Sequence, residues 1–373
     1  MEESIKKYID LFEHIAKNPK EAILNHKKET GKGAIGVLAE YAPEELIDAA
    51  GYLPVGIWGG EKEISKARTV FPPFACSIIQ AITEMELDGT YDNLEAVLIP
   101  VLCDTLKCYS QKWSGKAQPI VFTHPQNRIL EVANKFLVEE YKIIREKLEK
   151  LLNVKITDEA INNSIEIYNK NREIMREFSD IAVKYPHIID PVVRHNVIKS
   201  RWFISKKWHT EYVKQFIDEI KKLKVIPWKG KKVILTGIMA EPQKLLEIFK
   251  DEKFAIVADD LAQESRQFRV DVPAGTDPLY RLAKWWQDLY GCSLATDTNK
   301  IRGKVLIDLY KKYKADAVIT CMMKFCDPEE FDYPVFYAEL NKENIKNTII
   351  EIDLESTSFE QIKTRIQSFN EII

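Results

Sequence analysis

The 373 residues lack most of the short signatures that announce a chemistry. After the strand-like stretch KVILTG comes IMAEP rather than Gly-x-Gly-x-x-Gly, and no Walker A sequence occurs, so a nucleotide cradled on a glycine-rich loop is disfavoured. The six histidines, His14, His26, His124, His187, His195 and His209, include no His-Glu-x-x-His pair, and there is no nucleophile elbow. None of the six cysteines belongs to a Cys-x-x-Cys pair, which takes away most of the support for zinc-ribbon and thioredoxin-type sites. No apolar run approaches the roughly 20 residues that span a bilayer. The N-terminal MEESIKKYIDLFEHIAKN reads as an acidic and basic amphipathic helix rather than a signal peptide, so a cytoplasmic location is expected. Net charge is scarce too: charged residues make up 30% of the chain but sum to −3, which argues against nucleic acid as a partner.

What is present is 45% hydrophobic content, ample for the cores of two or three domains, and six cysteines without a secretory signature. Such cysteines serve burial, redox chemistry or metal binding rather than a disulfide framework. Two segments end alike. In each, an Ala-Val apolar run stops at Cys-Asp, at Cys103-Asp104 after Ala96 to Leu102 and at Cys326-Asp327 after Ala317 to Met323. Both cysteines are predicted where a parallel strand gives way to its loop, the sheet edge on which ligands of open α/β folds lie. Cys76 follows FPPFA, which breaks extended structure, and opens a helix whose Ile78, Ile79, Ile82 and Met85 recur at helical spacing until Gly89. Its sulfur is expected beside free N–H groups at a positive helix end, a setting that favours thiolate over thiol.

The rest of the chain alternates in a readable way. Residues 1 to 31 form one or two amphipathic helices ending near Gly31, and GAIGVLAEYAPEELIDAAGYLPVGIWGG reads as a strand-helix-strand unit. In that unit Pro43, Glu44 and Glu45 sit at the helix start, Gly51 closes it, and Leu53 to Trp58 is the second strand. The Cys76 helix, the Ala96 strand, a helix containing Cys108 and the strand Pro119 to Phe122 continue the alternation. From Pro125 to about Pro227 glycine almost disappears and long periodic helices take over. Ile129, Ala133, Phe136, Leu137, Tyr141, Ile144 and Leu148 share one face, and Thr157 is placed to cap the next helix. Strands then resume at Lys232 to Gly237, Phe254 to Ala258, Ala317 to Met323, Val335 to Tyr337 and Ile349 to Ile352. Helices fall around Leu279 to Tyr290, Ile301 to Lys314 and Phe359 to Ile372. The fold class is therefore α/β, with two Rossmann-like lobes of mostly parallel sheet, 1–125 and 229–373, joined by a helical connector, 126–228.

On spacing alone, Cys76, Cys103 and Cys326 serve equally well as small buried hydrophobes and as ligands of a metal group held by dispersed cysteines; their placement at element edges tips the reading towards ligands. Cys108, five residues past Cys103, reads as packing, and Cys321 and Cys292 as core. The run from Lys199 to Lys232, with Arg201, Trp202, Lys206, Lys207, Trp208, Lys221, Lys222, Lys224 and Trp228, is interleaved with acids and reads as a solvated helix face. DDLAQESRQFR, from Asp259 to Arg269, follows a strand and is suited to ion pairs at a lobe interface.

Six ordered motifs, YAPEELIDAAGYLP, FPPFACS, LCD, FTHPQNR, the DDL-to-Arg segment and KFCDPEEFDYP, closely resemble the 2-hydroxyacyl-CoA dehydratase and benzoyl-CoA reductase family over nearly the whole chain. The resemblance implies a smaller, β-type subunit of a heterodimer, with a 4Fe-4S cluster between its two lobes held by three cysteines and a non-cysteine fourth ligand. Carried over by position, Cys76 matches the first ligand, Cys103 the second and Cys326 the third, with Cys108 and Cys321 in reserve. It implies as partners an α subunit carrying a second 4Fe-4S cluster and the acyl-CoA, and a separate ATP-hydrolysing iron-sulfur activator. The likeness extends to enzymes of leucine fermentation that dehydrate 2-hydroxyisocaproyl-CoA.

Such a cofactor answers a chemical difficulty. Loss of water from a 2-hydroxyacyl thioester removes an unactivated β-proton while hydroxide leaves beside the carbonyl, the reverse of ordinary polarity. In the resembled mechanism one electron converts the thioester to a ketyl radical anion, which expels hydroxide and acidifies that proton. The implied role of this subunit is to relay the electron, with no general acid or base of its own; direct substrate contact by Glu40, Glu44 or Glu45 would depart from that pattern. The competing readings are a subunit for another hydroxyacyl-CoA or for aromatic acyl-CoA reduction, and a non-catalytic two-lobed binding protein.

Overall fold

The structure, a computed structural model, describes every residue except 1, 39–40, 296–298 and 357. Strands β1 (Ala34–Leu38), β2 (Leu53–Ile57), β3 (Ala96–Val101) and β4 (Gln118–Thr123) build one sheet in the order β2-β1-β3-β4. Strands β5 (Lys231–Gly237), β6 (Phe254–Leu261), β7 (Ala317–Met323) and β8 (Asn347–Ile352) build another in the order β6-β5-β7-β8. Every pairing is parallel. The α/β class with two Rossmann-like lobes is therefore the architecture of the chain.

The strand sequences explain the parallel sheets. β1, β2, β6 and β7 are buried along their whole length, as continuous apolar runs are when helices cover both faces. Among the described residues the pairing of β3 to β1 runs from Ala96 to Leu98, while Pro100 lies opposite Phe122 of β4. Gly237 ends β5 at φ 143°, where a Cβ would meet the carbonyl oxygen of Cys321 at 2.2 Å, so only glycine lets β5 and β7 approach there.

Before β1 come α1 (Glu3–Lys17) and α2 (Pro19–Thr30), closed by Gly31 in the left-handed conformation. The first lobe carries α3 (Glu44–Ala49), α4 (Ser77–Leu87) and α5 (Asp104–Ser110). The long middle helices are α6 (Glu131–Leu152), α7 (Asp158–Ala182), α8 (Pro191–Ser200) and α9 (Lys206–Ile220), and the Thr157 side chain accepts the Ala160 N–H as the sequence predicts. The second lobe adds α10 (Gln243–Asp251), α11 (Pro278–Asp288), α12 (Arg302–Tyr313), α13 (Asp327–Lys342) and α14 (Glu360–Ile372). A separate core joins α1 to α7, α8 and α9 through Ile5, Phe12, Phe178, Val197 and Phe216.

Two readings of the sequence are corrected by the structure. Val335 to Tyr337 is not a strand but part of α13, where Phe336 and Leu340 bury one face four residues apart and Pro334 lies on the exposed side. The Pro-aromatic run mimics a strand entry, yet solvent can reach the backbone group that Pro334 leaves unbonded. The basic run is not uniformly solvated: Arg201, Trp202 and Lys206 are buried, and Lys206 pairs with Glu44 at 2.7 Å.

Candidate functional site

Cys76, Cys103 and Cys326 occupy equivalent local positions. Each is the N-cap residue of a helix, of α4, α5 and α13 respectively. Cys103 Sγ accepts the Leu106 N–H at 3.5 Å, whereas the Cys76 and Cys326 side chains make no cap hydrogen bond and lie only within electrostatic reach of first-turn N–H groups. Cys-Asp endings thus do more than stop a strand. They turn β3 straight into α5 and, after a short loop, β7 into α13, leaving a thiol at the C-terminal edge of each sheet.

The three thiols also feel one another. Burial pushes the Cys76 thiol up to about 12, with Cys103 and Asp327 adding to the rise. Burial raises Cys326 well above the ordinary range, followed by the charges of Glu329, Cys76 and Cys103. The expectation that a helix end would favour the Cys76 thiolate is therefore corrected. The N–H groups are there, but removal from water outweighs them. Ionising three such thiols together requires a compensating positive charge, the situation that a bound metal group relieves. Among the described residues, no group of three or more His, Cys, Asp or Glu side chains is gathered to hold a single metal ion. A cluster is a wider body than an ion.

The reserves separate from this set. Cys108 is exposed on α5, so it is not the packing residue expected. Cys321 is buried within β7, its thiol raised by burial and by Glu264 and Glu329. Cys292 is buried, as predicted, with Arg266 Nη1 3.6 Å from its sulfur. The lobes meet beside the site: Ser77 Oγ donates to Met323 Sδ at 3.0 Å and accepts from the Leu354 N–H at 3.2 Å. Arg68 pairs with Glu355 at 2.9 Å across the same seam.

Behind Cys326 lies a buried charge network that sequence reasoning found only in part. Asp260 receives Arg266, Arg269 and Arg302, and although burial opposes ionisation, these guanidiniums hold its carboxyl far below the usual range. Arg302 also reaches Glu329 at 2.7 Å, and Ser293 Oγ donates to Glu329 at 2.6 Å. The DDL-to-Arg segment pointed to Asp259, Asp260 and Arg266, whereas Glu329 was not singled out in the sequence. Only its full burial sets it apart. Next to this, Arg194 joins Asp259 and Glu264, and His195 lies between Glu264 at 2.9 Å and Glu241 at 3.5 Å. Glu44 and Glu45 are engaged with Lys206 and Arg172, which leaves them no free carboxylate for a substrate, and Glu40 lies outside the described residues.

Comparison with known proteins shows the family. A family model described as 2-hydroxyglutaryl-CoA dehydratase, D-component, matches residues 40–373. The chain is 56% identical to the lactoyl-CoA dehydratase subunit beta of Anaerotignum propionicum over 371 residues, 99% of each chain. It is 44% identical to the (R)-phenyllactyl-CoA dehydratase beta subunit of Clostridium sporogenes, over 98% of this chain and 99% of that one. It is 35% identical to the (R)-2-hydroxyglutaryl-CoA dehydratase subunit beta of Acidaminococcus fermentans, over 99% of both. With two parallel lobes, cysteines capping helices at their edges and relatives matched end to end, the chain belongs to the 2-hydroxyglutaryl-CoA dehydratase D-component family.

Proposed function

We propose that this chain is the β subunit of an (R)-2-hydroxyacyl-CoA dehydratase, a hydro-lyase that acts only together with a second subunit. What supports the reading is that Cys76, Cys103 and Cys326 each stand at the N-cap position of a helix, and that the Cys76 and Cys326 thiols lie within electrostatic reach of each other and of Cys103. That donor set suits a 4Fe-4S cluster, which when bound supplies one-electron chemistry at low potential. The chain's own part is to hold the three sulfurs, to direct backbone N–H groups at them, and to limit access of water by burial between the lobes. The electron passes from an ATP-hydrolysing activator through this subunit to a partner subunit that binds the thioester.

Of the buried acids behind Cys326, Glu329 is engaged by Arg302 and Ser293, and Asp260 by three arginines, which suits a structural role for them rather than proton transfer to the substrate. For the acyl group, the 56% identity to a lactoyl-CoA enzyme supports a small aliphatic 2-hydroxyacyl-CoA, with 2-hydroxyisocaproyl-CoA the larger alternative raised by the sequence. The test is anaerobic purification followed by iron and acid-labile sulfide analysis. About four of each per chain are expected; absence of both overturns the proposal. Assay of the complete enzyme against lactoyl-, 2-hydroxyisocaproyl- and phenyllactyl-CoA then ranks the substrates.

A further inference from the structure

Beside β2, the outermost strand of the first sheet, the fold leaves a cavity of about 260 Å³ with a largely apolar wall. It is bounded by Ile23 and Leu24 of α2, by Trp58 and Phe203, and by Met85 and Leu94. Met85 lies in the last turn of α4, whereas Cys76 caps the first, roughly 13 Å of helix away. A helix laid on a filled surface buries an apolar stripe. No residue of α2 is fully buried, because the space beneath Ile23 and Leu24 is not filled by the chain itself.

Two polar groups in this wall are under-used. Trp58 is 5% exposed, and its Nε1–H has no hydrogen-bond partner among the described residues. A buried indole N–H ordinarily finds one. Tyr91 also lines the cavity, and its hydroxyl donates only to the Met85 thioether, at 3.4 Å, a weak acceptor. Both groups are donors, so the missing group is an acceptor. The charge at the cavity is positive. Lys20 lines it, is exposed and forms no ion pair among the described residues, and α2 begins beside it at Pro19 with no side-chain cap. That helix end adds to the field of the ammonium. The neighbouring carboxylates Asp88 and Asp92 are taken up by Lys62 and Lys116.

We propose that this cavity binds a small monocarboxylate with an apolar tail, held as the free acid anion and away from the cysteines. The tail takes the space under Ile23 and Leu24, the carboxylate accepts from the Trp58 N–H with the Tyr91 hydroxyl as a second donor, and Lys20 meets its charge. A cavity of about 150 Å³ encloses benzene, so the larger volume here suits a phenyl ring or a chain of about six carbons together with the carboxyl group. The nucleotide portion of a coenzyme A thioester does not fit inside it. Occupancy reaches beyond the cavity through Trp58, which packs edge-on against Trp202 with ring centres 5.3 Å apart. Trp202 Nε1 donates to the Gln263 carbonyl of the second lobe at 3.1 Å, and the Trp202 carbonyl accepts the Gly56 N–H of β2 at 3.1 Å. A ligand that fixes Trp58 therefore braces the outer strand of one lobe against the other. The proposal is independent of the electron-relay reading.

The experiment is isothermal titration calorimetry of the full chain, prepared anaerobically, with phenylacetate and with hexanoate. Saturable one-to-one binding of at least one is expected, with 2-phenylethanol and hexan-1-ol about tenfold weaker than the matching acid and acetate without measurable heat. Trp58→Phe, which keeps an aromatic ring and removes the donor, weakens binding about tenfold. Lys20→Gln, at an exposed position, weakens it about threefold. Ile23→Trp fills the cavity and abolishes binding, with melting curves showing that each variant is folded. Absence of binding by wild type overturns the proposal, as does an alcohol that binds as tightly as its acid, which leaves an apolar void only. Binding that survives Ile23→Trp places the acid elsewhere and overturns it too. Should Ile23→Trp fail to fold, Lys20→Gln decides: an unchanged affinity for both acids overturns the site.

Discussion

The two lobes have the same strand order and differ in what fills their C-terminal edges. β3 and β7 hold corresponding places, each beside the point where the strand order reverses, and each leads to a Cys-Asp that starts a helix. In the second lobe that edge is backed by buried carboxylates and guanidiniums, centred on Asp260 and Glu329. In the first, the buried charges Glu44, Glu45, Arg172 and Lys206 lie where α3 packs on α7. Topology delivers a thiol twice, whereas the charges are arranged to suit each lobe's contacts. Cys76 completes the set from the loop before α4, at the seam between lobes.

The comparison breaks most severely at the sulfurs. Replacing Cys103 or Cys326 by alanine is expected to abolish bound iron in anaerobically reconstituted protein, while Cys321→Ala and Cys108→Ser keep it; iron and sulfide analysis reads the difference. Equal loss from Cys321→Ala would remove the correspondence between β3 and β7. Next come the charge networks. Arg302→Met leaves Glu329 with only Ser293 and the more distant Arg266 and weakens Asp260, and Lys206→Met leaves Glu44 with only the Tyr168 hydroxyl, so each is expected to cost about 3–5 kcal/mol in denaturant unfolding, the usual result of removing one member of a buried pair. A loss under about 1 kcal/mol in either would show that lobe's charges to be replaceable.

A smaller effect separates the networks by pH. Burial disfavours a charged His195, but Glu241 and Glu264 outweigh it and hold its pKa above the ordinary value, with Arg194 and Lys199 close by. The stability it contributes is complete below about pH 6.5, its unfolded value, and disappears as pH rises through the raised folded value. Unfolding free energy measured between pH 6 and 9 should therefore lose part of its downward slope in His195→Gln. The smallest change concerns Phe325. Glycine there is expected to stabilise the separated chain by about 1 kcal/mol through relief of the left-handed conformation, and a chain destabilised by it would show the ring to be part of the fold.

Much of this was legible in the sequence for local reasons. The apolar runs ending at Cys103 and Cys326, the Thr157 cap, Gly31 and the long helical face from Ala133 to Leu148 are set by neighbours a few residues away. The errors came where partners are distant. Val335 to Tyr337 carried strand-like residues, but packing against β7 and β8 keeps it within α13. Lys206 and Arg201 looked solvated until Glu44 and Asn171, far away in sequence, supplied buried partners. Cys108 was expected to pack, yet α5 turns it outward.

The sequence by itself determined the parallel strands, their Cys-Asp endings and the run of long helices between the two sheets, because period, capping and turn chemistry act over one or two turns of chain. Only the tertiary structure decided that the Cys76, Cys103 and Cys326 thiols fall within electrostatic reach of one another and that Glu329 is buried. These depend on burial and on charge pairing between segments brought together by folding, and neither leaves a periodic trace in the order of residues.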